Sequence, residues 1–141
     1  MQLQIATLCD SAADYQGKLC IMGAFDTLIA AEFPVMHPQC SLALRLLFEP
    51  QDVGRHEFHI QLLDEDEKLV MPAFTPAMEV SFPPGAVPFV TRNLVLNLQR
   101  LRFEKAGVYQ FSMSMDHQSI ISLPVRVTDF EEMQATAGPA G

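Results

Sequence analysis

Residues 109–127 read Tyr109-Gln110-Phe111-Ser112-Met113-Ser114-Met115-Asp116-His117-Gln118-Ser119-Ile120-Ile121-Ser122-Leu123-Pro124-Val125-Arg126-Val127. Apolar and polar side chains alternate up to Met115. Asp116-His117-Gln118 interrupts the pattern, and Ile121, Leu123, Val125 and Val127 resume it. A period of two sends successive side chains to opposite faces of a strand, so this stretch predicts a β-hairpin with one apolar face. A lone two-stranded hairpin is marginal in water, so that face must meet further strands.

Further strands are legible upstream. Leu94, Leu96 and Leu98 alternate with Asn93, Val95 and Asn97. Leu94, Leu98 and Leu101 also fit a helical spacing, but Asn93 and Asn97 are poor helix-interior residues, and a strand is predicted. Met78, Val80 and Phe82 form another row, and Pro83-Pro84-Gly85-Ala86-Val87-Pro88 is a loop whose prolines cannot join a ladder. Phe58, Ile60 and Leu62 alternate with Glu57, His59 and Gln61. Asp64-Glu65-Asp66-Glu67 reads as a solvated hairpin turn, after which Leu69-Val70-Met71 continues as a strand to Pro72. Leu42, Leu44, Leu46 and Phe48 make the cleanest row. Pro34 and Pro38 bracket a connector that holds His37 and Cys40. Leu3 to Cys9 is a strand, and Asp10-Ser11-Ala12-Ala13-Asp14 breaks it as a loop or one helical turn. Leu19, Ile21 and Phe25 share a face with Gly23, which marks a bulge or a close backbone approach. Eight or nine short strands without a three-turn helix predict an all-β chain: a two-sheet antiparallel β-sandwich, immunoglobulin-like in general architecture. Tyr109, two residues after Gly107 at a strand entrance, is a candidate tyrosine corner.

The 141 residues suit one domain. The division predicted is a sandwich over 1–128 and an acidic, small-residue, mobile tail over 129–141. Seventeen acids against nine Lys and Arg leave a net charge of −8, which argues against nucleic acid or an anionic membrane as partner. Three cysteines without a C-x-x-C pair are neither a disulfide framework nor a zinc ribbon. The first residues lack the basic stretch of a signal peptide, and no apolar run reaches about 20 residues. A cytoplasmic location is expected, with no structural metal and no cofactor.

The segments Leu8-Cys9-Asp10-Ser11-Ala12, Gly17-Lys18-Leu19, Gly23-Ala24-Phe25-Asp26, Phe33-Pro34, His37-Pro38-Gln39-Cys40, Leu63-Asp64-Glu65-Asp66 and Phe103-Glu104-Lys105-Ala106-Gly107-Val108-Tyr109 resemble a family of single-domain bacterial proteins known as a domain of unknown function. The resemblance spans about residues 3–127. It implies a bacterial cytoplasmic sandwich and no established activity. Glu67-Lys68 stands at a hairpin tip where a glycine is expected.

Candidate chemistry is sparse. Asp10 and Asp26 could approach as paired carboxylates for a hard cation or acid–base work, but Asp after a strand more often caps a turn. His37 and Cys40, with Cys9 and Cys20, are zinc-ligand types, yet small buried thiols explain the cysteines better. No nucleophile elbow, P-loop or dinucleotide motif is present. The remaining clue is apolar residues off the main inward rows: Met22, Leu47 and Val95, with Leu8, Leu63 and Ile120. They predict a second covered face, under a partner subunit or a long loop. The expected function is a non-catalytic module that binds a protein or itself. The alternatives are a small-molecule or carbohydrate-binding sandwich, for which aromatics are few, and a hydrolase-like enzyme using Asp10, Asp26 or His37.

Overall fold

The hairpin that begins at Tyr109 is formed by β8 (Gly107–Met115) and β9 (Gln118–Asp129), paired antiparallel across Asp116 and His117. Both turn residues have positive φ, 48° and 68°, the conformation that matches the twist of a two-residue hairpin loop. This structure, a computed structural model, describes residues 1–131 and 134. The other strands are β1 (Gln2–Tyr15), β2 (Lys18–Phe25), β3 (Thr27–Ala30), β4 (Val35–Phe48), β5 (Gly54–Leu63), β6 (Ala77–Val80) and β7 (Val90–Phe103). No helix among the described residues is long and apolar enough to cross a membrane. Nine of the thirteen residues of the predicted tail lie outside the described residues, and β9 itself runs one residue past the expected boundary.

Two sheets form. One has the order β2-β1-β4-β7, the other β3-β9-β8-β5-β6. Their facing rows make one core: Leu42, Leu44, Leu46 and Phe48 from β4, Phe58, Ile60 and Leu62 from β5, Phe111 and Met113 from β8, and Val125 and Val127 from β9. Each fully buried Leu or Phe contributes about 1.5–3 kcal/mol. The β-sandwich read from the sequence is therefore present, and residues 90–103 are strand. Strands β4 and β7 stand where B and E stand in an immunoglobulin sandwich, and β5, β8 and β9 where C, F and G stand. The pairing is not wholly antiparallel: β3 runs parallel to β9. The chain passes from β2 to β3 across Asp26 alone, changing sheets, and so enters the second sheet in that direction.

The local exceptions have physical causes. Residues 10–14 are not a loop but the outer half of β1. Residues 35–40 are not a connector but the start of β4. Pro38 is tolerated there because its partner in the register is Arg100, and that rung is missing from the ladder. Arg100 has φ +56°, which turns β7 over, so that Leu98 and Leu101, three apart, are both buried. That reversal is what imitated a helical spacing. After the turn at residues 64–67, Leu69–Met71 is not a strand. Leu69 makes one isolated bridge to Leu63, and the chain then runs irregularly along β5 through hydrogen bonds of Val70 to Leu62 and Phe74 to Ile60. Glu67, at the tip where a glycine was expected, has φ +60°. Nor is the turn simply solvated: Glu65 Oε1 accepts a hydrogen bond from the Val108 N–H at 2.8 Å.

The β1–β2 hairpin bends back on its own sheet. Pairing of β1 with β4 ends at Cys9 and Ser41, yet the hairpin tip at Gly17 reaches Arg45, four residues back along β4. The bend lies where Gly23 faces Asp10. Gly23 has φ +68°, and a Cβ there would sit 2.5 Å from Asp10 Oδ2, so what approaches this glycine closely is a side-chain carboxylate rather than the expected backbone. Ala12, Leu19 and Ile21 turn towards the sheet and are half-buried, while Ser11, Ala13, Tyr15, Lys18, Cys20 and Met22 face solvent. Beneath lie Cys9, Ser41 and Ala43, all buried on the outer face of the sheet.

Gly23→Ala is expected to cost about 1–2 kcal/mol for the left-handed backbone alone, plus the displacement of Asp10. Urea unfolding of Gly23→Ala, and of Gly23→Ala with Asp10→Ala, separates the two contributions. An unchanged midpoint in both would show that the bend imposes no such constraint.

Candidate functional site

The sequence candidates do not converge. Asp10 and Asp26 sit three rungs apart along the β1–β2 ladder, about 10 Å of strand, and both are exposed. Asp26 Oδ1 accepts a hydrogen bond from the Thr27 hydroxyl at 2.9 Å, and its carbonyl accepts the Arg126 N–H, which fits a corner residue rather than half of a carboxylate pair. His37 packs its ring 5.9 Å from Phe25, and its buried Nε2 has no hydrogen-bond partner. Cys9 and Cys40 are buried, and burial pushes the Cys40 thiol up to about 11, which makes it a poor nucleophile or ligand. Cys20, expected to be buried, is exposed, because the folded-back hairpin turns that row outward. Among the described residues, no three His, Cys, Asp or Glu side chains converge as metal ligands.

Met22, Leu47 and Val95 do not share a surface. Met22 is 72% exposed on the back of the hairpin. Val95 pairs with Ala43 in the row under the hairpin, and Leu47 lies half-buried two residues beyond Arg45. The second covered face exists, and its cover is the chain's own hairpin. The clamp is polar. Arg45 Nη1 donates to the Gly17 carbonyl (2.9 Å) and to Asn93 Oδ1 (2.8 Å), Nη2 to Thr91 Oγ1 (3.0 Å), and Nε to Gln4 Oε1 (3.1 Å). Asn93 Nδ2 donates in turn to Asp14 Oδ2 at 2.9 Å. This amide, then the Gly17 N–H, holds the Asp14 carboxyl below its usual range. Tyr109 Oη donates to the Lys105 carbonyl at 2.6 Å, the bond that defines a tyrosine corner. Its ring meets Phe103 edge-on at 4.8 Å.

A cluster that the sequence reading missed gathers at one end of β5. His56 Nδ1 lies 2.6 Å from Asp116 Oδ2, and Nε2 lies 2.6 Å from the Asp52 carbonyl oxygen. Both partners only accept, and a neutral imidazole has one N–H, so both contacts are satisfied only by the imidazolium. The Asp52 carbonyl, then the Asp116 carboxylate, raises the His56 pKa above 6.5. The Glu57 N–H, then His56, lowers that of Asp116. The Glu49 N–H, then the Met1 ammonium at 3.1 Å, lowers that of Asp52. Separations of 4 and 60 residues hid this cluster. Asp116 of this cluster, with Arg55, Glu57, His59, Ser114 and His117, lines an open hollow of about 950 Å³. Its aromatic ring, Phe58, is 1% exposed, so the hollow offers no stacking platform for a sugar.

The remaining feature is an edge. Strands β3 and β6 are four residues each, and β2 is kinked at Gly23. Strand β7 is fourteen residues long and has one neighbour, β4. Among the described residues its outer side makes no backbone hydrogen bond to another segment. In the immunoglobulin arrangement a D strand lies beside E. Here β6 passes to β7 through residues 81–89, which form no strand and contain three prolines, and among the described residues nothing occupies the D position. Residues 4–128 match a family of unknown function, DUF6941, and the chain belongs to that family. No curated protein matches it.

Two outcomes are expected. Arg45→Ala frees the hairpin tip, so alkylation of Cys9, read by peptide mass spectrometry, should speed up while that of exposed Cys20 stays unchanged. An equally inert Cys9 would mean that the hairpin is not its cover. His56, with its pKa raised on folding, stabilises fully below pH 6.5, and this contribution is lost as pH rises through its folded pKa. Asp52 and Asp116, with lowered values, stabilise above pH 3.8, and that contribution fades as pH falls through theirs. Chemical unfolding across pH should therefore show an alkaline decline that His56→Gln abolishes. The same decline in the variant would remove His56 from the account.

Proposed function

We propose that this DUF6941 protein is a non-catalytic protein-binding module that accepts an extended segment of a partner chain as the missing strand beside β7. The supporting observation is the D position, empty among the described residues, along a fourteen-residue edge whose outer backbone groups pair with none of them. Main-chain hydrogen bonds would supply affinity for an added strand, and side-chain rows on either face its specificity. Between Arg92 and the reversal at Arg100, residues 93–99 keep the straight geometry that pairing needs. Elsewhere the edges are short, bent or flanked by prolines, the devices by which sheets avoid unwanted pairing. A β7 edge left long against that background reads as a used one.

The hydrolase reading has lost its carboxylate pair, and the carbohydrate reading finds no exposed aromatic platform in the hollow. Three free cysteines support a reducing, cytoplasmic setting.

Random extended peptides displayed against the immobilised full chain test the proposal. Hydrogen exchange of the chain with a selected peptide should slow amides within residues 93–99 and leave the hollow at His59 and Ser114 unchanged. Protection confined to the hollow or to the β1–β2 hairpin would overturn it.

A further inference from the structure

Resting on the strand-addition reading, we infer that the segment taken up by β7 is acidic and belongs to a different protein, not to a second copy of this chain. Strand β7 contains Arg92, Arg100 and Arg102 and no Asp or Glu, in a chain whose net charge is −8. Arg102 is paired to Glu104 at 2.8 Å. Among the described residues, neither Arg92 nor Arg100 has a carboxylate within ion-pair distance. Arg92 turns one guanidinium nitrogen to the Thr91 carbonyl at 3.2 Å, and Arg100 is exposed. The two arginines stand eight positions apart and bracket the straight stretch of residues 93–99.

That placement discriminates among occupants. Two copies pairing antiparallel through β7 would bring Arg92 and Arg100 of each strand together, neither with a carboxylate of its own, and like charges across a ladder oppose pairing. A charge in the row of Leu94 and Leu96 is itself a device against edge-to-edge association. The same two charges favour a strand that carries one carboxylate near each end. A repulsive element against the wrong partner and an attractive one for the right partner then sit in the same side chains. The apolar Leu94 and Leu96, half-buried at the edge, ask for apolar alternate positions in the incoming segment.

The probes are three synthetic peptides of alternating valine and threonine, identical except for the residues eight positions apart at their ends: glutamate in one, glutamine in the second, lysine in the third. Binding to the full chain is read by fluorescence anisotropy, and the site by hydrogen exchange over residues 93–99. The glutamate peptide should bind about tenfold more tightly than the glutamine peptide, and the lysine peptide more weakly than either. The preference should shrink with added salt. Arg92→Gln with Arg100→Gln should abolish the preference, and Arg92→Glu with Arg100→Glu should invert it. The milder pair keeps the test valid should charge reversal impair folding. Equal binding of all three peptides, with β7 protected, would overturn the acidic partner and leave strand addition standing. A dimer by native mass spectrometry, with β7 protected and no peptide present, would overturn the choice of a different protein. Failure of every peptide to protect β7 would overturn the strand-addition reading and this inference with it.

Discussion

Arg45 projects from the outer face of β4, the strand flanked by β1 and β7. A guanidinium has five donors and must find acceptors wherever it loses water. Here the acceptors are Gln4, Gly17, Thr91 and Asn93. They come from β1, the hairpin tip and β7, so a single cation ties three parts of one sheet together. The next residues along that row, Ala43 and Ser41, are small, and they leave the depth in which the folded-back hairpin lies. Strand β4 is thus covered on both faces, by the second sheet and by a hairpin of its own sheet. Gly23 makes the return possible, because only a residue without a Cβ fits both its left-handed backbone and the approach of Asp10.

The covered outer face changes what the scattered apolar residues mean. Val95 is explained by the hairpin above it, and Met22 is left on the back of that hairpin. Neither marks a surface held in common with Leu47. The scattered apolar residues therefore mark no common face, and the edges of the sheets are what set this sandwich apart. A sandwich has four edges to manage, and three of them here are short or bent. The fourth lies where the immunoglobulin pattern would have added a strand, and the proline-rich residues 81–89 cannot supply one, since proline contributes no N–H to a ladder.

The titrating groups are better explained as structure than as catalysis. His56 spends both ring nitrogens on fixed acceptors and stacks on Phe48 at 5.7 Å, so it has no free lone pair with which to act as a base. Asp116 also accepts the Glu57 N–H at 2.9 Å, which ties the β8–β9 turn to β5. The hollow that Asp116 shares with His59, Ser114 and His117 brings together no three His, Cys, Asp or Glu as metal ligands among the described residues.

Alternation along the chain was enough to determine the β8–β9 hairpin, the inward rows of β4 and β5, and an all-β sandwich, because the pleat that sets a strand's faces is a property of neighbouring residues. The special place of Gly23 and the corner at Tyr109 were legible for the same local reason. Tertiary structure alone decided the rest. Arg100 reverses the faces of β7 by one left-handed residue, and nothing in an arginine announces that. Leu19 and Phe25 share a parity in the sequence yet serve the outer face and the core, because the bend at Gly23 falls between them. Asp52, His56 and Asp116 meet only once β5 and β8 are paired. The edge at β7 exists only in the order of strands, and that order is set by which distant rows bury one another, a long-range outcome to which no single segment holds the key.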